Sequence, residues 1–187
     1  GRPYPIISKK AMHIYLIIFL LLALAAIAYE VKPFQEKGWL IFFAMLLMLL
    51  AGLRAPYIDK DYLNYETGLL YIEDVNDASS EELIPFFEPA FYVLAITCKW
   101  LFPTQFVLAI MLVYAAASVW LKTMSIRLMS VNPFMVLLLY FSQYFLLHEM
   151  TQIRIGLASG MFLIGLYYLC HGRRNLFIGI ILLACLF

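Results

Sequence analysis

The sequence predicts an all-α fold, a polytopic bundle of transmembrane helices that forms one integral membrane domain over residues 1–187. The first observation is composition: the chain is 65% hydrophobic and 13% charged, whereas soluble domains carry about a quarter charged residues. The second is the division of the apolar residues into separate runs, several of which approach the roughly 20 residues that a helix needs to cross a bilayer. These apolar runs cover residues 11–29, 38–53, 89–102, 105–121, 133–147, 155–170 and 176–187.

The run 11–29 is long enough to span a membrane, and we expect it to be an uncleaved first helix. Met12 opens its apolar stretch, so we expect residues 1–11 to be non-native or upstream sequence. A basic start followed by an apolar stretch and Ala26-Ile27-Ala28 also fits a cleaved signal peptide, and this alternative stays open. The full length of the run and the further runs behind it favour the helix.

The run 38–53 is followed by Arg54 and by the longest connection of the chain, residues 54–88. This connection carries nine acidic residues against Arg54 and Lys60. We expect it to be an extracytoplasmic loop that contains short helices. One such helix would cover residues 60–73, and the capping-box pattern at 79–82 marks the start of another.

The remaining runs differ in how well they fit a span. The run 105–121 qualifies outright, and 133–147 and 155–170 qualify if their polar ends lie in the interface. The run 89–102 is short and holds Lys99 near its end, which favours a re-entrant or interfacial helix. The run 176–187 stops in mid-helix, so we expect the chain to be a fragment truncated after this seventh apolar segment.

Basic residues indicate the orientation, because cytoplasmic loops are rich in Lys and Arg. If all seven runs cross and the basic N-terminus lies inside, Arg54 faces the cytoplasm and Arg154 the outside. If residues 1–11 are set aside and 89–102 does not cross, the loops 54–88 and 148–154 share the outer side. We favour the second topology because it puts six basic residues in short inner loops: Lys32, Lys37, Lys122, Arg127, Arg173 and Arg174.

Several classes of function and site are disfavoured by the sequence. A net charge of +1 without a basic stripe argues against a nucleic-acid partner. The three cysteines, Cys98, Cys170 and Cys185, are scattered in apolar stretches and are interpreted as small apolar residues. The stretch HEMTQ resembles the first half of a zinc-protease motif, but Gln152 stands where the second histidine is needed. We therefore expect no metal and no cofactor.

Arg154, at the mouth of the sixth apolar run, is the first polar residue that needs an explanation. An ionisable group at membrane depth is a functional candidate by default, although a snorkelling arginine at a helix end stays an alternative. His148 and Gln152, four residues apart, are expected to share a helical face. Gly156 and Gly160 are expected to form a helix-packing face.

Glu88 and the Asp61–Tyr65 segment also stand out at the ends of the acidic loop. Glu88 precedes Pro89, and an acid beside a proline in a first turn is also ordinary chemistry for the start of a helix. Asp61 and Tyr65 lie one helical turn apart. A solvated loop helix with interfacial tyrosines stays the alternative interpretation of this segment.

Three motifs in this order resemble the EpsG family of bacterial membrane proteins, Wzy-type polysaccharide polymerases. They are Arg54 followed by DYLNY at 61–65, Glu88-Pro89, and the segment IRIGLASGMFLIGLYYLCHGRR with Arg154. Gln152 fits the amide that the family often has near this arginine. Residues 58–60 replace a glycine that the family commonly has before its Asp-Tyr. The resemblance covers residues 12–187 and the family's N-terminal half, and a histidine of the family would fall beyond the end of this chain.

The resemblance implies a metal-independent, glycosyltransferase-like polymerase in the bacterial inner membrane. It would transfer a glycan from polyprenyl pyrophosphate to an acceptor sugar hydroxyl during synthesis of O-antigen, capsule or exopolysaccharide. Arginine suits a pyrophosphate because its planar fork binds phosphate oxygens with two hydrogen bonds. The implied roles are pyrophosphate binding for Arg54 and Arg154, general-base candidates in Asp61, Glu88 and, more weakly, His148, sugar stacking for Tyr62 and Tyr65, and substrate contact for Gln152.

The implied partners are the lipid bilayer, a polyprenyl-pyrophosphate-linked glycan and other membrane proteins of polysaccharide assembly. Two other classes stay open at this point. A lipid-linked glycan transporter or flippase would also need arginines at membrane depth, but it would not need the acids Asp61 and Glu88. A purely structural membrane subunit would need none of these polar residues.

Overall fold

The structure, a computed structural model, describes residues 9–53, 89–149 and 152–187, and throughout these ranges the chain is built of helices without β-strands. The predicted all-α fold is therefore confirmed for the described part of the chain. A helix lies over every predicted apolar run. The helices are α1 (Lys9–Val31), α2 (Glu36–Gly52), α3 (Pro89–Leu101), α4 (Phe106–Met129), α5 (Pro133–Tyr140), a π-helix (Phe141–Glu149), α6 (Ile153–Cys170) and α7 (Arg174–Ala184).

The protein is a membrane protein by the length and composition of its helices. Three described segments are long and apolar enough to cross a bilayer, namely Met12–Val31, Phe106–Met129 and Ile153–Cys170. Large apolar side chains on their outer surfaces are exposed, as on Leu24, which is 64% exposed. Such a surface fits lipid as the solvent.

Local sequence explains where α5 begins and how α6 is joined to α7. The side chain of Asn132 accepts a hydrogen bond from the backbone N–H of Met135 at 3.1 Å, and Pro133 takes the first helical position. Both are favourable at a helix start. Between α6 and α7 the turn passes through Gly172 with φ of 76°, a backbone conformation that glycine adopts without strain.

Helix α4 lies at the centre of the bundle and contributes to two buried clusters. In the first, its later turns pack with α1, α2, α5 and the π-helix around Leu47, Val119 and Phe134. In the second, its first turns pack with α3 and the start of α6 around Phe91 and Ile110. Helix α4 continues to Met129, beyond the predicted run 105–121. The predicted run ended before Lys122, which was expected in a loop, but this lysine is buried inside the bundle.

One end of the bundle, here called the Arg127 end, gathers the end of α1, the start of α2, the end of α4 and the start of α5. The Arg127 Nε lies 3.3 Å from the Glu36 Oε1. The Asn132 amide donates to the Glu30 carboxylate at 3.0 Å and to the Ala26 carbonyl at 3.1 Å. These polar contacts hold together four helix ends that the chain joins by short turns.

The opposite end, here called the Arg154 end, gathers the end of α2 and the starts of α4 and α6. A Cβ added to Gly52 would meet the Leu112 side chain at 2.5 Å, so α2 ends beside the first turns of α4. Ile153 and Leu157 of α6 are buried in one cluster with Ile110. The chain thus enters residues 54–88 and approaches Arg154 at one end of the bundle. The favoured topology, and the side of the membrane that this end faces, stay predictions.

Helix α3 has 13 residues and extends about 20 Å at 1.5 Å per residue, short of the roughly 30 Å of a hydrocarbon core. The ring of Phe91, near its start, lies 5.7 Å from that of Tyr114 in the middle of α4. Four residues then join its end to the start of α4. Helix α3 is thus shorter than a full span, and its re-entrant or interfacial placement stays a prediction.

Candidate functional site

Arg154 lies in the first turn of α6, half-buried at the Arg154 end of the bundle. Its guanidinium carbon is 5.8 Å from the centroid of the Phe91 ring, which is fully buried at the start of α3. A cation over an aromatic face at this distance is electrostatically attracted to it. The contact fixes the guanidinium where α3 and α6 meet.

This contact links Arg154 to the helix that begins at Pro89. Phe91 lies three residues after Glu88, and Pro89 is the first residue of α3. The Glu-Pro motif therefore leads directly into the helix that carries the guanidinium's aromatic partner. The sequence does not indicate that Arg154 and Phe91 lie close together, because their proximity depends on the packing of α3 against α6.

Five of the predicted site residues lie outside the described residues, and their roles stay predictions. They are Arg54, Asp61, Tyr62, Tyr65 and Glu88. The structure shows where the chain enters the segment that contains these residues. Helix α2 ends at Gly52, at the same end of the bundle as Arg154.

His148 and Gln152 do not share a helical face, so that prediction is wrong. The π-helix ends at Glu149 and α6 begins at Ile153, which leaves Gln152 between two helices. The Gln152 backbone N–H donates to the Leu147 carbonyl at 3.0 Å, and its own carbonyl accepts from the Gly156 N–H at 2.8 Å. The ring of His148 lies 5.5 Å from that of Tyr144.

Glu149 is a residue that the sequence analysis missed. Its side chain is 1% exposed, and its Oε1 accepts hydrogen bonds from Ser118 Oγ and Tyr140 Oη, both at 2.9 Å. The same oxygen forms an ion pair with Lys122 Nζ, whose residue is 2% exposed. The predicted cytoplasmic-loop position of Lys122 is therefore wrong, because the residue lies inside the bundle.

The π-helix explains how Tyr140 and Glu149 reach one another. Nine residues make two and a half turns of an α-helix at 3.6 residues per turn, which would put the two side chains on opposite faces. A π-helix closes its hydrogen bonds one residue later than an α-helix, so each turn takes in more residues. The wider winding of Phe141–Glu149 returns Glu149 to the side of Tyr140 and of α4.

The predicted packing face of α6 is confirmed. A Cβ on Gly156 would lie 2.7 Å from the His148 carbonyl oxygen, closer than real Cβ atoms approach. A Cβ on Gly160 would lie 3.2 Å from the Leu121 Cβ and 3.3 Å from the Ser118 carbonyl oxygen. The two glycines therefore let α6 lie directly against the end of the π-helix and against α4.

A cavity of about 700 Å³ lies between α4, α5 with the π-helix, and α6. Lys122, Tyr140 and His148 line it together with a mostly apolar wall. The other lining residues are Ser125, Ile126, Met129, Ser130, Val136, Leu139, Gln143, Tyr144, Ser159, Phe162 and Leu163. Among the described residues, no group of three His, Cys, Asp or Glu side chains is placed to hold a metal ion.

Comparison with known proteins bears on the same segments. The family model described as EpsG family matches residues 37–187, which is most of the chain. No curated protein and no solved structure matches the chain.

Proposed function

The chain belongs to the EpsG family, and from this premise we propose that it polymerises lipid-linked oligosaccharide repeat units on the outer face of the bacterial inner membrane. Membership indicates a polysaccharide-polymerase-type role in exopolysaccharide synthesis, and the apolar helices provide its membrane setting. The proposal adds the reaction and the residues that carry it.

The proposed reaction is a glycosyl transfer between two lipid-linked substrates. A hydroxyl oxygen of the acceptor sugar bonds to the anomeric carbon of the growing glycan, while the bond from that carbon to the polyprenyl pyrophosphate breaks. The hydroxyl proton passes to a protein base, and the lipid pyrophosphate leaves with the electron pair. Negative charge develops on the leaving group, and fixed cations stabilise such a transition state.

In this proposal Arg54 and Arg154 bind the pyrophosphate. A guanidinium stays protonated at any working pH and offers a planar pair of N–H groups to two phosphate oxygens. Asp61 or Glu88 accepts the hydroxyl proton, with His148 as the weaker candidate. Tyr62 and Tyr65 stack on sugar faces, and Gln152 contacts substrate.

The meeting of Arg154 with Phe91 is the observation that carries the proposal. It joins the start of α6 to the helix that Glu88-Pro89 opens, at the end of the bundle where α2 leads into residues 54–88. Arg154 and the two described residues that flank residues 54–88 lie at this end, which supports the proposal of a single reaction site there.

The proposal is tested by separating polymerisation from transport. The purified full-length protein is reconstituted in nanodiscs, where no second compartment exists, and incubated with a lipid-linked repeat unit. We expect longer lipid-linked glycans from the wild type and a loss of about 100-fold or more in rate from Asp61→Asn or Glu88→Gln, because a general base contributes roughly that factor.

Glu30→Gln is the matched control, because Glu30 lies at the Arg127 end and bonds only to Asn132 among the contacts described. Its rate should equal that of the wild type. Unchanged lipid-linked glycans after incubation with correctly folded wild-type protein would instead favour a transporter. Full activity of both acid variants would show that neither Asp61 nor Glu88 is the base.

A further inference from the structure

We infer that Glu149 is a positioning residue for Arg154: its buried carboxylate fixes the start of α6 and with it the place of the guanidinium. The inference rests on the proposed function, because it takes Arg154 as a ligand of the pyrophosphate. Glu149 has no part in the proposed reaction itself. Its described contacts are to other helices of the bundle.

The burial of Glu149 with Lys122 needs an explanation other than stability. Both residues are at most 2% exposed in the interior of an apolar bundle. Removing two charges from water costs several kcal/mol per ion, and apolar replacements of a buried pair are often neutral or stabilising. Ionisable groups kept at membrane depth are therefore functional candidates.

The contacts of Glu149 hold its side chain in one place. Ser118 and Lys122 reach Oε1 from α4, and Tyr140 reaches the same oxygen from the end of α5. Three donors from two separate elements converge on one carboxylate oxygen. The side chain is therefore tied to the centre of the bundle, and the last residue of the π-helix is tied with it.

The first turn of α6 rests directly on this fixed residue. A Cβ on Gly156 would lie 3.3 Å from the Glu149 Oε2, so the α6 backbone passes in contact with the carboxylate. Arg154 lies two residues before Gly156 in the same turn. A shift of the Glu149 side chain or backbone would therefore move the guanidinium relative to Phe91. A misplacement of about 1 Å can cost on the order of 100-fold in rate.

A double-mutant cycle tests whether Glu149 acts through Arg154. Initial rates of polymer formation are measured with the full-length protein in nanodiscs for the wild type, Glu149→Gln, Arg154→Ala and the variant with both changes. We expect Glu149→Gln to lower kcat/KM by at least about tenfold. We expect the variant with both changes to be no slower than Arg154→Ala, within about threefold. Once the guanidinium is absent, the position that Glu149 fixes no longer affects the rate.

Glu36→Gln is the matched control, since it removes the carboxylate charge from the Glu36–Arg127 ion pair at the other end of the bundle. Its rate should stay within about twofold of the wild type. If Glu149→Gln does not accumulate in the membrane, it is replaced in the cycle by a variant that changes both members of the buried pair, Lys122→Met/Glu149→Gln. This variant leaves neither buried charge without its partner.

Each other outcome has a definite meaning. Losses that multiply in the combined variant would show that Glu149 acts independently of Arg154, and this overturns the inference alone. Wild-type rates from Glu149→Gln would do the same. Wild-type rates from Arg154→Ala would refute the proposed role of Arg154, and the inference with it.

Discussion

Arg154 and Lys122 are both cations at membrane depth, but their surroundings differ. Lys122 is buried and paired with Glu149 in the centre of the bundle. Arg154 is half-buried at a helix start, with its guanidinium over the face of Phe91. The fully buried lysine suits a structural or positioning role, whereas the half-buried arginine at the end of the bundle suits the proposed binding of a pyrophosphate.

Replacing Arg154 by lysine tests this assignment at the residue scale. Arg154→Lys keeps the positive charge but loses the planar fork that binds two phosphate oxygens, and it weakens the contact with Phe91. We expect the amount of long polymer to fall at least about tenfold, since each 1.4 kcal/mol of lost transition-state binding is a factor of ten. The chain-length distribution on a gel, in a deletion strain that carries the variant, is the measurement.

Arg127→Lys is the control for this experiment, because it makes the same change in a partly exposed ion pair at the other end of the bundle. It should leave the polymer unchanged. Membrane amounts of both variants are compared by immunoblot. Normal polymer from Arg154→Lys at equal protein level would make Arg154 a snorkelling anchor and remove it from the site.

At the scale of elements, the junction between the π-helix and α6 is where packing decides the position of the site. The Gly156 backbone lies against the His148 carbonyl and the Glu149 carboxylate, so there is no room for a methyl group. The close approach couples the π-helix to the turn that carries Arg154. Helix α6 is therefore placed by backbone contact with its predecessor as well as by its packing on α4.

Gly156→Ala tests this coupling. The added methyl group would force α6 away from the π-helix, at a cost of about 1–3 kcal/mol for overpacking. We expect a lower melting temperature of the detergent-solubilised protein and a lower rate of polymerisation in nanodiscs. Thermal unfolding by fluorescence and the glycan assay provide the two readouts.

Gly179→Ala is the matched control, since a Cβ on this α7 residue would meet nothing within 4 Å. Alanine is also the better helix former, by about 1 kcal/mol. Its melting temperature should be equal to or above that of the wild type, with normal activity. Equal melting temperatures and rates for Gly156→Ala and the wild type would show that the junction tolerates displacement.

At the scale of the whole molecule, the two ends of the bundle differ in charge and in the loops they carry. The Arg127 end carries Lys32, Lys37 and Arg127, because α1 ends, α2 begins and α4 ends there. Arg173 is assigned to the same end because α6 runs in the direction of α4: Gly160 lies against Ser118, and Phe162 lines the cavity with Met129. Residues 53 and 154 belong to the other end. The positive-inside rule then predicts that the Arg127 end faces the cytoplasm.

Cysteine labelling of intact spheroplasts tests this topology and the prediction that α3 does not cross the bilayer. In a background without the three native cysteines, we expect Asn76→Cys and Thr104→Cys to react with an impermeant reagent from outside. Thr104 lies in the exposed turn between α3 and α4, and it shares a side with residues 54–88 if α3 does not cross. Lys32→Cys and Arg173→Cys should react after permeabilisation alone.

Two results would contradict this arrangement in different ways. Labelling of Thr104→Cys only after permeabilisation, with Asn76→Cys accessible, would show that residues 89–102 cross the bilayer. Labelling of Lys32→Cys from outside, with Asn76→Cys protected, would show that the bundle has the opposite orientation in the membrane.

The sequence by itself determined the helical class of the described residues and the approximate place of each described apolar helix. In lipid every backbone N–H and C=O must be satisfied within the segment, so an apolar run is nearly bound to be helical. Length also indicated that residues 89–102 differ from the spans. The sequence also predicted that Gly156 and Gly160 of α6 form a packing face, because small residues let helices approach closely.

Only the tertiary structure decided which polar residues meet. Lys122 and Glu149 each looked like the end of an apolar run, although they pair across 27 residues inside the bundle. Arg154 and Phe91 meet because the start of α3 packs against the start of α6 and against α4. Such pairings depend on the rotation of each helix about its axis, and the π-helix changes that rotation in a way that α-helical periodicity cannot predict.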